Sequence, residues 1–327
     1  MKIIFFSAKK YDEEYFRLSN KYACHSLKFT EVPLNNDTIS LITDEQVACL
    51  FVNDVLDYDV LFNLSKTTIK LIALRCAGFN NIDIKAAQKL GFTVVNVPAY
   101  SPNAVAEHTV SMMLALNRNI HRAYSRVRDG NFSLEGLLGY DFNGHTIGII
   151  GTGRIGSIVA QIMQSMGMKI LAYDPVCKNE GIKYVDLDTL LSQSDVISIH
   201  CPLNEATKHL INKTSLDKMK QGVMLINTSR GAILDTCAVI DALKSKKLGY
   251  LGMDVYEFEN KLFFEDLSCS IIDDDIFERL LTFPNVLITP HQGFFTTEAL
   301  KNIADTTFNN IDQFVNNIPI ENEILND

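Results

Sequence analysis

Short apolar runs recur along the first third of the chain and alternate with stretches of helical periodicity. This alternation is typical of parallel strands joined by helices, which form a sheet that is covered on both faces. The helical stretches include Asp12–Tyr22 and Ile84–Leu90. The predicted strands of this region are Lys2–Phe6, Leu27–Val32, Ala48–Val52, Lys70–Leu74 and Thr93–Val97.

The same alternation returns after residue 145 and predicts a second sheet of parallel strands. Helical stretches there include Leu187–Gln193, Cys237–Lys246 and Asp275–Leu281. The predicted strands of this region are Thr146–Ile150, Lys169–Tyr173, Ile182–Val185, Asp195–His200, Val223–Thr228, Leu248–Val255 and Val286–Thr289. The fold class is therefore α/β, with two parallel-sheet domains.

Two longer helical patterns connect these regions. The segment Pro98–Asn103 has the composition of a linker, and the helix predicted after it, over residues 102–127, is apolar on more than one face. Such a helix must be buried on more than one side, between domains or against a second subunit, and we expect both. A final helix, Thr296–Asn317, is expected to pack on the first domain. We therefore assign residues 1–99 and 298–327 to one domain and residues 100–297 to the other.

The most specific motif lies between residues 145 and 174. The apolar strand Thr146–Ile150 runs into a glycine-rich turn, Gly151-Thr152-Gly153-Arg154-Ile155-Gly156, and a second apolar run stops at Asp174. In such a motif the first glycine allows the tight turn, the second lets backbone approach a pyrophosphate, and the third permits close helix packing. Asp174 lies 18 residues after Gly156, where a carboxylate can accept hydrogen bonds from ribose hydroxyls. We predict an NAD site, because Asp174 would repel the 2′-phosphate of NADP.

Composition narrows the function further. The chain has 327 residues and a net charge of −9, so nucleic acid and anionic membranes are not expected partners. The seven cysteines are scattered without CxxC spacing, which indicates free thiols and no metal site. The N-terminal apolar run is too short for a signal peptide, and we expect a cytoplasmic protein.

Ligands of open parallel sheets bind at the carboxyl ends of the strands. The predicted strand ends of the second domain carry an arginine, acids and two histidines beside the glycine-rich turn. Hydride transfer to a 2-oxo acid needs a cation for the carboxylate, a proton donor for the carbonyl and a partner for that donor. Arg230, His291 and Glu259 supply these groups, with Glu257 as a rival partner for His291. For His200 a structural or cofactor-lining role is favoured over catalysis.

These residues occur in motifs that together resemble the D-isomer-specific 2-hydroxyacid dehydrogenases, and within them the fermentative bacterial D-lactate dehydrogenases. The resemblance extends over nearly the whole chain. The motifs are Leu74–Asn81, Val97–Tyr100, Ala104–His108, Gly151–Gly156, His200–Leu203, Asn227–Gly231, Gly252–Glu257 and Pro290–Gln292. One departure is Gly293, where similar enzymes usually have alanine.

The resemblance implies a Rossmann nucleotide domain inserted into a flavodoxin-like substrate domain. It implies that Arg230, Glu259 and His291 are catalytic. For substrate it implies contacts with Tyr100 and the amides of Ala77 and Gly78, and we add Phe294, with Phe295 as an alternative. The expected cofactor-binding residues are Gly151, Gly153, Arg154, Ile155, Gly156, Asp174, Pro175, Cys201, Pro202, Thr207, Thr228, Ser229 and Asp254.

The sequence thus predicts reversible, NADH-dependent reduction of pyruvate to D-lactate by a cytoplasmic homo-oligomer that associates through the helix at 102–127. One alternative is a related dehydrogenase for a bulkier 2-oxo acid, such as 2-oxoisocaproate or phenylpyruvate. A second is a non-catalytic NAD-sensing module, since corepressors share this fold.

Overall fold

The computed structural model describes residues 1–20, 25–177, 181–259 and 262–325. The chain divides into two compact units. The first unit is Met1–Ser101 together with the chain from Phe294 onward, and the second is Pro102–Gly293.

The first unit contains one parallel sheet of five strands. Numbered along the chain, they lie side by side in the order second, first, third, fourth and fifth, which is the flavodoxin-like order. Its three interior strands are apolar and buried apart from the exposed Lys2, because helices cover both faces. Its elements before residue 101 are β1 (Lys2–Phe5), α1 (Lys10–Ser19), β2 (Ser26–Phe29), a 3-10 turn (Thr38–Leu41), β3 (Val47–Leu50), α2 (Tyr58–Leu64), β4 (Leu71–Leu74), α3 (Ile84–Lys89) and β5 (Thr93–Val95).

The second unit contains a parallel sheet of seven strands. Numbered along this unit, they lie side by side in the order seventh, sixth, fifth, fourth, first, second and third, which is the Rossmann order with one added strand. The chain then returns to the first unit as α11 (Thr297–Val315). The elements of the second unit are α4 (Pro102–Asn117), α5 (Ile120–Arg128), β6 (Thr146–Ile150), α6 (Arg154–Ser165), β7 (Lys169–Tyr173), β8 (Lys183–Tyr184), α7 (Leu187–Gln193), β9 (Val196–Ile199), α8 (Lys213–Lys218), β10 (Val223–Asn227), a 3-10 turn (Gly231–Ile233), α9 (Thr236–Lys244), β11 (Leu248–Met253), α10 (Asp275–Leu281) and β12 (Val286–Ile288).

The predicted fold class is confirmed, because both sheets are parallel and each follows the expected strand order. Several strands end earlier than predicted, as β2 does at Phe29 rather than Val32. The predicted end of the first helix at Tyr22 lies outside the described residues, and α1 ends at Ser19.

The prediction of one helix over residues 102–127 is wrong. The structure has two helices there, α4 and α5, with Asn119 between them in the left-handed conformation at φ 49°. Asparagine tolerates this conformation better than most residues, so the chain can turn at this point. The first of these two helices, α4, is buried on several faces within its own unit, whereas α5 has no buried residue. The apolar residues of α4 are therefore explained by packing within the second unit, whereas those of α5 remain on the surface.

The boundaries between the units also differ from the predicted ones. Tyr100 belongs to the first unit, where its carbonyl accepts a hydrogen bond from Asn302 Nδ2 at 2.7 Å. Phe294 belongs there as well, because its ring lies 6.2 Å from that of Phe51 and 6.0 Å from that of Tyr100. Within the described part of the chain, no helix is both long enough and apolar enough to cross a membrane.

Candidate active site

His291 and Glu259 form a hydrogen-bonded pair in the second unit. The distance from His291 Nδ1 to Glu259 Oε1 is 2.8 Å, and both side chains are mostly buried. The second carboxylate oxygen of Glu259 accepts the backbone N–H of Tyr256 at 2.8 Å, which holds the side chain in place. Because Nδ1 is engaged, Nε2 is the ring atom of His291 that can exchange a proton with a bound ligand.

The rival acid, Glu257, has other partners. Its Oε1 lies 2.7 Å from His209 Nε2, and its Oε2 accepts a hydrogen bond from Thr236 Oγ1 at 3.1 Å. Of the two acids that the sequence left open, Glu259 is therefore the one beside His291.

Asp254, at the end of β11, organises the turn that carries His291. Its carboxylate accepts the backbone N–H groups of Gln292 at 2.9 Å and Gly293 at 2.8 Å, and the hydroxyl of Thr289 at 2.5 Å. These hydrogen bonds hold a strained backbone, because His291 has φ 55°, in the left-handed region that a non-glycine residue rarely adopts.

Asp254 itself is held in the charged form. Burial works against ionisation, but hydrogen bonds from His108 and Thr289 outweigh it and keep the pKa of Asp254 below its ordinary value. His108 Nε2 lies 3.3 Å from Asp254 Oδ1 and 3.1 Å from Thr289 Oγ1. An anionic Asp254 is the form that can accept both backbone amides of the turn.

Arg230 follows β10, and the strand order places β11 between β10 and β12. Since these strands are parallel, Arg230, Asp254 and His291 all come from the carboxyl ends of three neighbouring strands. Arg230 Nη1 donates to the carbonyl of Ser229 at 2.7 Å. The remaining donors of its guanidinium form a planar fork suited to a carboxylate.

The glycine-rich turn has the geometry that its sequence predicts. Gly151 has φ +90°, and a Cβ there would lie 2.7 Å from the backbone nitrogen of Cys201. A Cβ at Gly156 would overlap the carbonyl oxygen of Gly151, so α6 packs directly against the turn. Gly153 and Arg154 are exposed at the first turn of α6, where backbone N–H groups can receive phosphate oxygens.

Asp174 connects β7 to this turn. Its Oδ2 accepts the backbone N–H of Thr152 at 2.7 Å and the Thr152 hydroxyl at 3.1 Å. Its Oδ1 accepts the backbone N–H of Val176 at 2.9 Å. The carboxylate is therefore held at the end of β7, directly beside the glycine-rich turn.

A cavity of about 350 Å³ lies between these groups. His200 lines it, and burial lowers the pKa of His200 to about 3, so its ring is neutral at physiological pH. Burial also raises the pKa of the Cys201 thiol to about 11, which makes a nucleophilic role unsuitable. The expected cofactor residues that line the cavity are Gly151, Gly153, Asp174, Pro175, Cys201, Pro202 and Thr207.

The other expected cofactor residues lie around the turn and the neighbouring strand ends. Arg154 and Ile155 open α6. Ser229 donates its hydroxyl to the carbonyl of Cys201 at 2.6 Å, which joins the ends of β10 and β9. Thr228 exchanges a hydrogen bond with Thr109 of α4 at 2.8 Å.

The expected substrate residues Ala77, Gly78, Tyr100 and Phe294 all belong to the first unit. Ala77 and Gly78 are half-buried in the loop after β4. The buried Arg75 precedes them and donates from Nη2 to the carbonyl of Ser7 at 2.7 Å. The rings of Phe294 and Phe295 lie 6.0 Å apart.

The sequence did not single out His108 or Thr289, which contact Asp254. The only sequence indication was that His108 ends one of the recognised motifs and Thr289 ends a predicted strand. Among the described residues, no group of three or more histidine, cysteine or acidic side chains could hold a metal ion.

Comparison with known proteins identifies the family. Residues 110–293 match the family model "D-isomer specific 2-hydroxyacid dehydrogenase, NAD binding domain". The chain belongs to the D-isomer specific 2-hydroxyacid dehydrogenase family.

The chain is 49% identical over 329 residues to the D-lactate dehydrogenase of Escherichia coli, covering 99% of this chain and 100% of that protein. The apo structure of D-lactate dehydrogenase from the same organism matches with a TM-score of 0.91 at 47% identity, covering 99% of this chain and 100% of that one. A D-lactate dehydrogenase from Lactobacillus jensenii, solved with NAD⁺, matches with a TM-score of 0.84 at 33% identity over the full length of both chains.

Membership makes the chain an NAD-dependent oxidoreductase, and its own residues fit that cofactor. Gly151 and Gly153 of the glycine-rich turn line the cavity together with Asp174. The carboxylate can accept ribose hydroxyls but would repel a 2′-phosphate.

Proposed function

We propose that this dehydrogenase reduces pyruvate to D-lactate with NADH and also catalyses the reverse reaction. The 2.8 Å contact between His291 and Glu259 carries this proposal, because it holds the imidazole through Nδ1 and leaves Nε2 available to a substrate. The name D-lactate dehydrogenase of the similar Escherichia coli enzyme supports the choice of substrate.

NADH, when bound, supplies the hydride that adds to the carbonyl carbon of pyruvate. The imidazolium of His291 then gives its Nε2 proton to the carbonyl oxygen, so the product is a neutral hydroxyl group. Glu259 remains a carboxylate and stabilises the imidazolium. In the oxidation direction the neutral ring of His291 takes the hydroxyl proton. Asp254 keeps the His291 turn in position without itself exchanging a proton.

The substrate carboxylate is proposed to bind the guanidinium of Arg230 and the N–H groups of Ala77 and Gly78. Tyr100 and Phe294 are proposed to border the methyl group, because their rings pack together at 6.0 Å. Such a border favours small 2-oxo acids, although one or two added methylenes change binding by only about 1–3 kcal/mol.

The proposed cofactor contacts follow from the cavity and the turn. The N–H groups at Arg154 and Ile155 receive the pyrophosphate, and Asp174 binds the ribose hydroxyls. Pro175, Cys201, Pro202 and Thr207 line the adenosine side. Thr228, Ser229 and Asp254 border the nicotinamide side.

We further propose a homo-oligomeric cytoplasmic enzyme of fermentation that binds neither nucleic acid nor membrane. The exposed apolar residues of α5 support association through the segment 102–127, since Ile120, Tyr124 and Val127 are each more than half exposed. The acidic net charge of −9 supports the absence of anionic partners.

The test is a panel of 2-oxo acids assayed with NADH and NADPH, with chiral analysis of the product. We expect the highest kcat/KM for pyruvate with NADH, and D-lactate as the product. A higher kcat/KM for 2-oxoisocaproate or phenylpyruvate would assign a bulkier substrate instead. NADH binding without turnover of any 2-oxo acid would favour an NAD-sensing module.

A further inference from the structure

Asn96 follows β5 directly and its side chain is buried. Its Nδ2 donates a hydrogen bond to the carbonyl oxygen of Ala77 at 2.7 Å. Asn96 therefore connects the end of β5 to the loop after β4, on which the proposed carboxylate contacts lie.

Three consecutive carbonyl groups of this loop, those of Cys76, Ala77 and Gly78, accept hydrogen bonds. The Cys76 carbonyl accepts the backbone N–H of Val97 at 3.1 Å, and the Gly78 carbonyl lies 3.3 Å from Cys76 Sγ. In the described part of the chain, the N–H groups of Ala77 and Gly78 have no hydrogen-bond partner. Two neighbouring amides are thus available to an anion while their carbonyls are engaged.

The bond from Asn96 sets the direction of one of these amides. In a trans peptide the C=O of one residue and the N–H of the next point in opposite directions within one plane. Fixing the Ala77 carbonyl therefore aims the N–H of Gly78, just as fixing the Cys76 carbonyl aims the N–H of Ala77.

Asn96 is in turn held by two other asparagines. Its N–H donates to the carbonyl of Asn322 at 3.2 Å, and its carbonyl accepts from Asn310 Nδ2 at 2.9 Å. Asn322 Nδ2 donates to Asn310 Oδ1 at 2.8 Å, which closes a ring of three residues. Asn310 lies on α11 and is fully buried, so the ring restrains the backbone at Asn96.

We propose that Asn96 is a positioning residue for the substrate carboxylate, and that it acts by orienting the Ala77–Gly78 peptide. It does not touch the substrate. This inference rests on the proposed function, in which the loop amides bind that carboxylate. Its consequence is selective: substrate binding depends on Asn96, whereas cofactor binding does not.

The experiment compares the unmodified protein with Asn96→Ala, measuring kcat and KM for pyruvate at saturating NADH and the Kd for NADH. A lost neutral hydrogen bond corresponds to roughly a ten-fold loss of binding. We expect the KM for pyruvate to rise about ten-fold while kcat changes less than about three-fold. The Kd for NADH should stay unchanged.

Asn322→Ala is the matched control. It removes the bond to Asn310 but keeps the bond from Asn96 to Ala77, so the KM for pyruvate should stay close to that of the unmodified protein. Equal rises of KM in both variants would show a general structural role and overturn the proposal. If Asn96→Ala does not fold, Asn96→Ser replaces it, because its short hydroxyl cannot reach the Ala77 carbonyl.

Different results refute the proposed function and the role of Asn96. An unmodified protein that turns over no 2-oxo acid refutes the proposed function. An active unmodified protein with the same KM for pyruvate as Asn96→Ala refutes the role of Asn96 alone.

Discussion

Gly293 donates its backbone N–H to Asp254 Oδ2 at 2.8 Å. A buried carboxylate at the end of one strand thereby holds the turn that follows the next strand and carries His291. The family resemblance had identified Gly293 only as a departure from the usual alanine. In the structure its N–H makes one of the hydrogen bonds that fix the position of His291, the proposed proton donor.

Gly293→Ala should lower activity without unfolding the protein. A Cβ at this position would lie 2.9 Å from Asp254 Oδ2 and 3.4 Å from His108 Cδ2. The carboxylate must move by a few tenths of an ångström, which lengthens its bonds to the turn. We expect kcat/KM for pyruvate to fall about three-fold, while the unfolding temperature changes little because alanine also reduces the entropy of the unfolded chain.

Gly181→Ala is the control for this change, because a Cβ at Gly181 would meet no atom within 4 Å. It should leave kcat/KM unchanged. An unaltered kcat/KM in Gly293→Ala would mean that the turn tolerates displacement of Asp254.

Glu259→Gln should move the pH dependence of the reaction. The variant keeps the shape of the side chain but removes the negative charge that lies 2.8 Å from His291 Nδ1. The imidazolium then loses a stabilising neighbour, so the alkaline limb of pyruvate reduction should move to lower pH. The acidic limb of D-lactate oxidation should move in the same direction. At pH 7.5 we expect kcat/KM for reduction to fall at least about ten-fold.

The measurement is kcat/KM against pH in both directions. Glu257→Gln serves as the matched control, since Glu257 contacts His209 and Thr236 instead of His291. Its limbs should stay in place. A Glu259→Gln profile that superimposes on that of the unmodified protein would refute the proposed role of the Glu259 charge in the reaction.

Asp174→Ala should weaken NADH binding and narrow the preference for NADH over NADPH. The change removes the carboxylate that is proposed to bind the ribose hydroxyls, and with it the repulsion of a 2′-phosphate. Because Asp174 also accepts two hydrogen bonds from Thr152, the alanine variant loosens the glycine-rich turn as well.

Asp174→Asn separates these effects, since its amide oxygen can still accept from Thr152. We expect the asparagine variant to bind NADH better than the alanine variant while showing the same narrowed preference. The Kd for each cofactor gives the answer. An unmodified protein that binds both cofactors equally would refute the role of Asp174.

His200→Gln should make the protein less sensitive to acid. Burial lowers the pKa of His200 from its ordinary 6.5 to about 3 in the folded protein. Between these values the unfolded chain binds a proton that the folded chain does not, so the free energy of unfolding falls as the pH falls. The loss is at most about 1.4 kcal/mol per pH unit. His200 Nε2 lies 2.8 Å from Ser198 Oγ, so glutamine keeps a polar group beside this hydroxyl and removes the titration.

The measurement is the free energy of unfolding of both proteins at pH 7.5 and pH 5. The difference between the two pH values should be smaller for His200→Gln. Equal differences would mean that His200 takes up its proton in the folded state.

The outline of the fold and most of the candidate site could be predicted from the sequence. Apolar runs of strand length, such as Val223–Asn227, identify central strands directly, because both faces of a parallel sheet are buried. The carboxyl-edge rule then selected Arg230, Asp174 and His291 with no structure in hand. The break at Asn119 was missed, since the apolar pattern continues through it and a single left-handed residue leaves no periodicity.

The sequence alone therefore determined the local features of the protein. These are the strands and most of the helices, the glycine-rich turn, the succession of the two sheets along the chain and the residue types at the strand ends. These depend on neighbours within a few positions of the chain, or on motifs with constant spacing. The tertiary structure alone decided which acid meets His291, how Asp254 holds its turn, and that Asn96 reaches Ala77. Those contacts join residues 19 to 39 positions apart in the chain, and their geometry depends on how strands pair and loops pack, which no local pattern encodes.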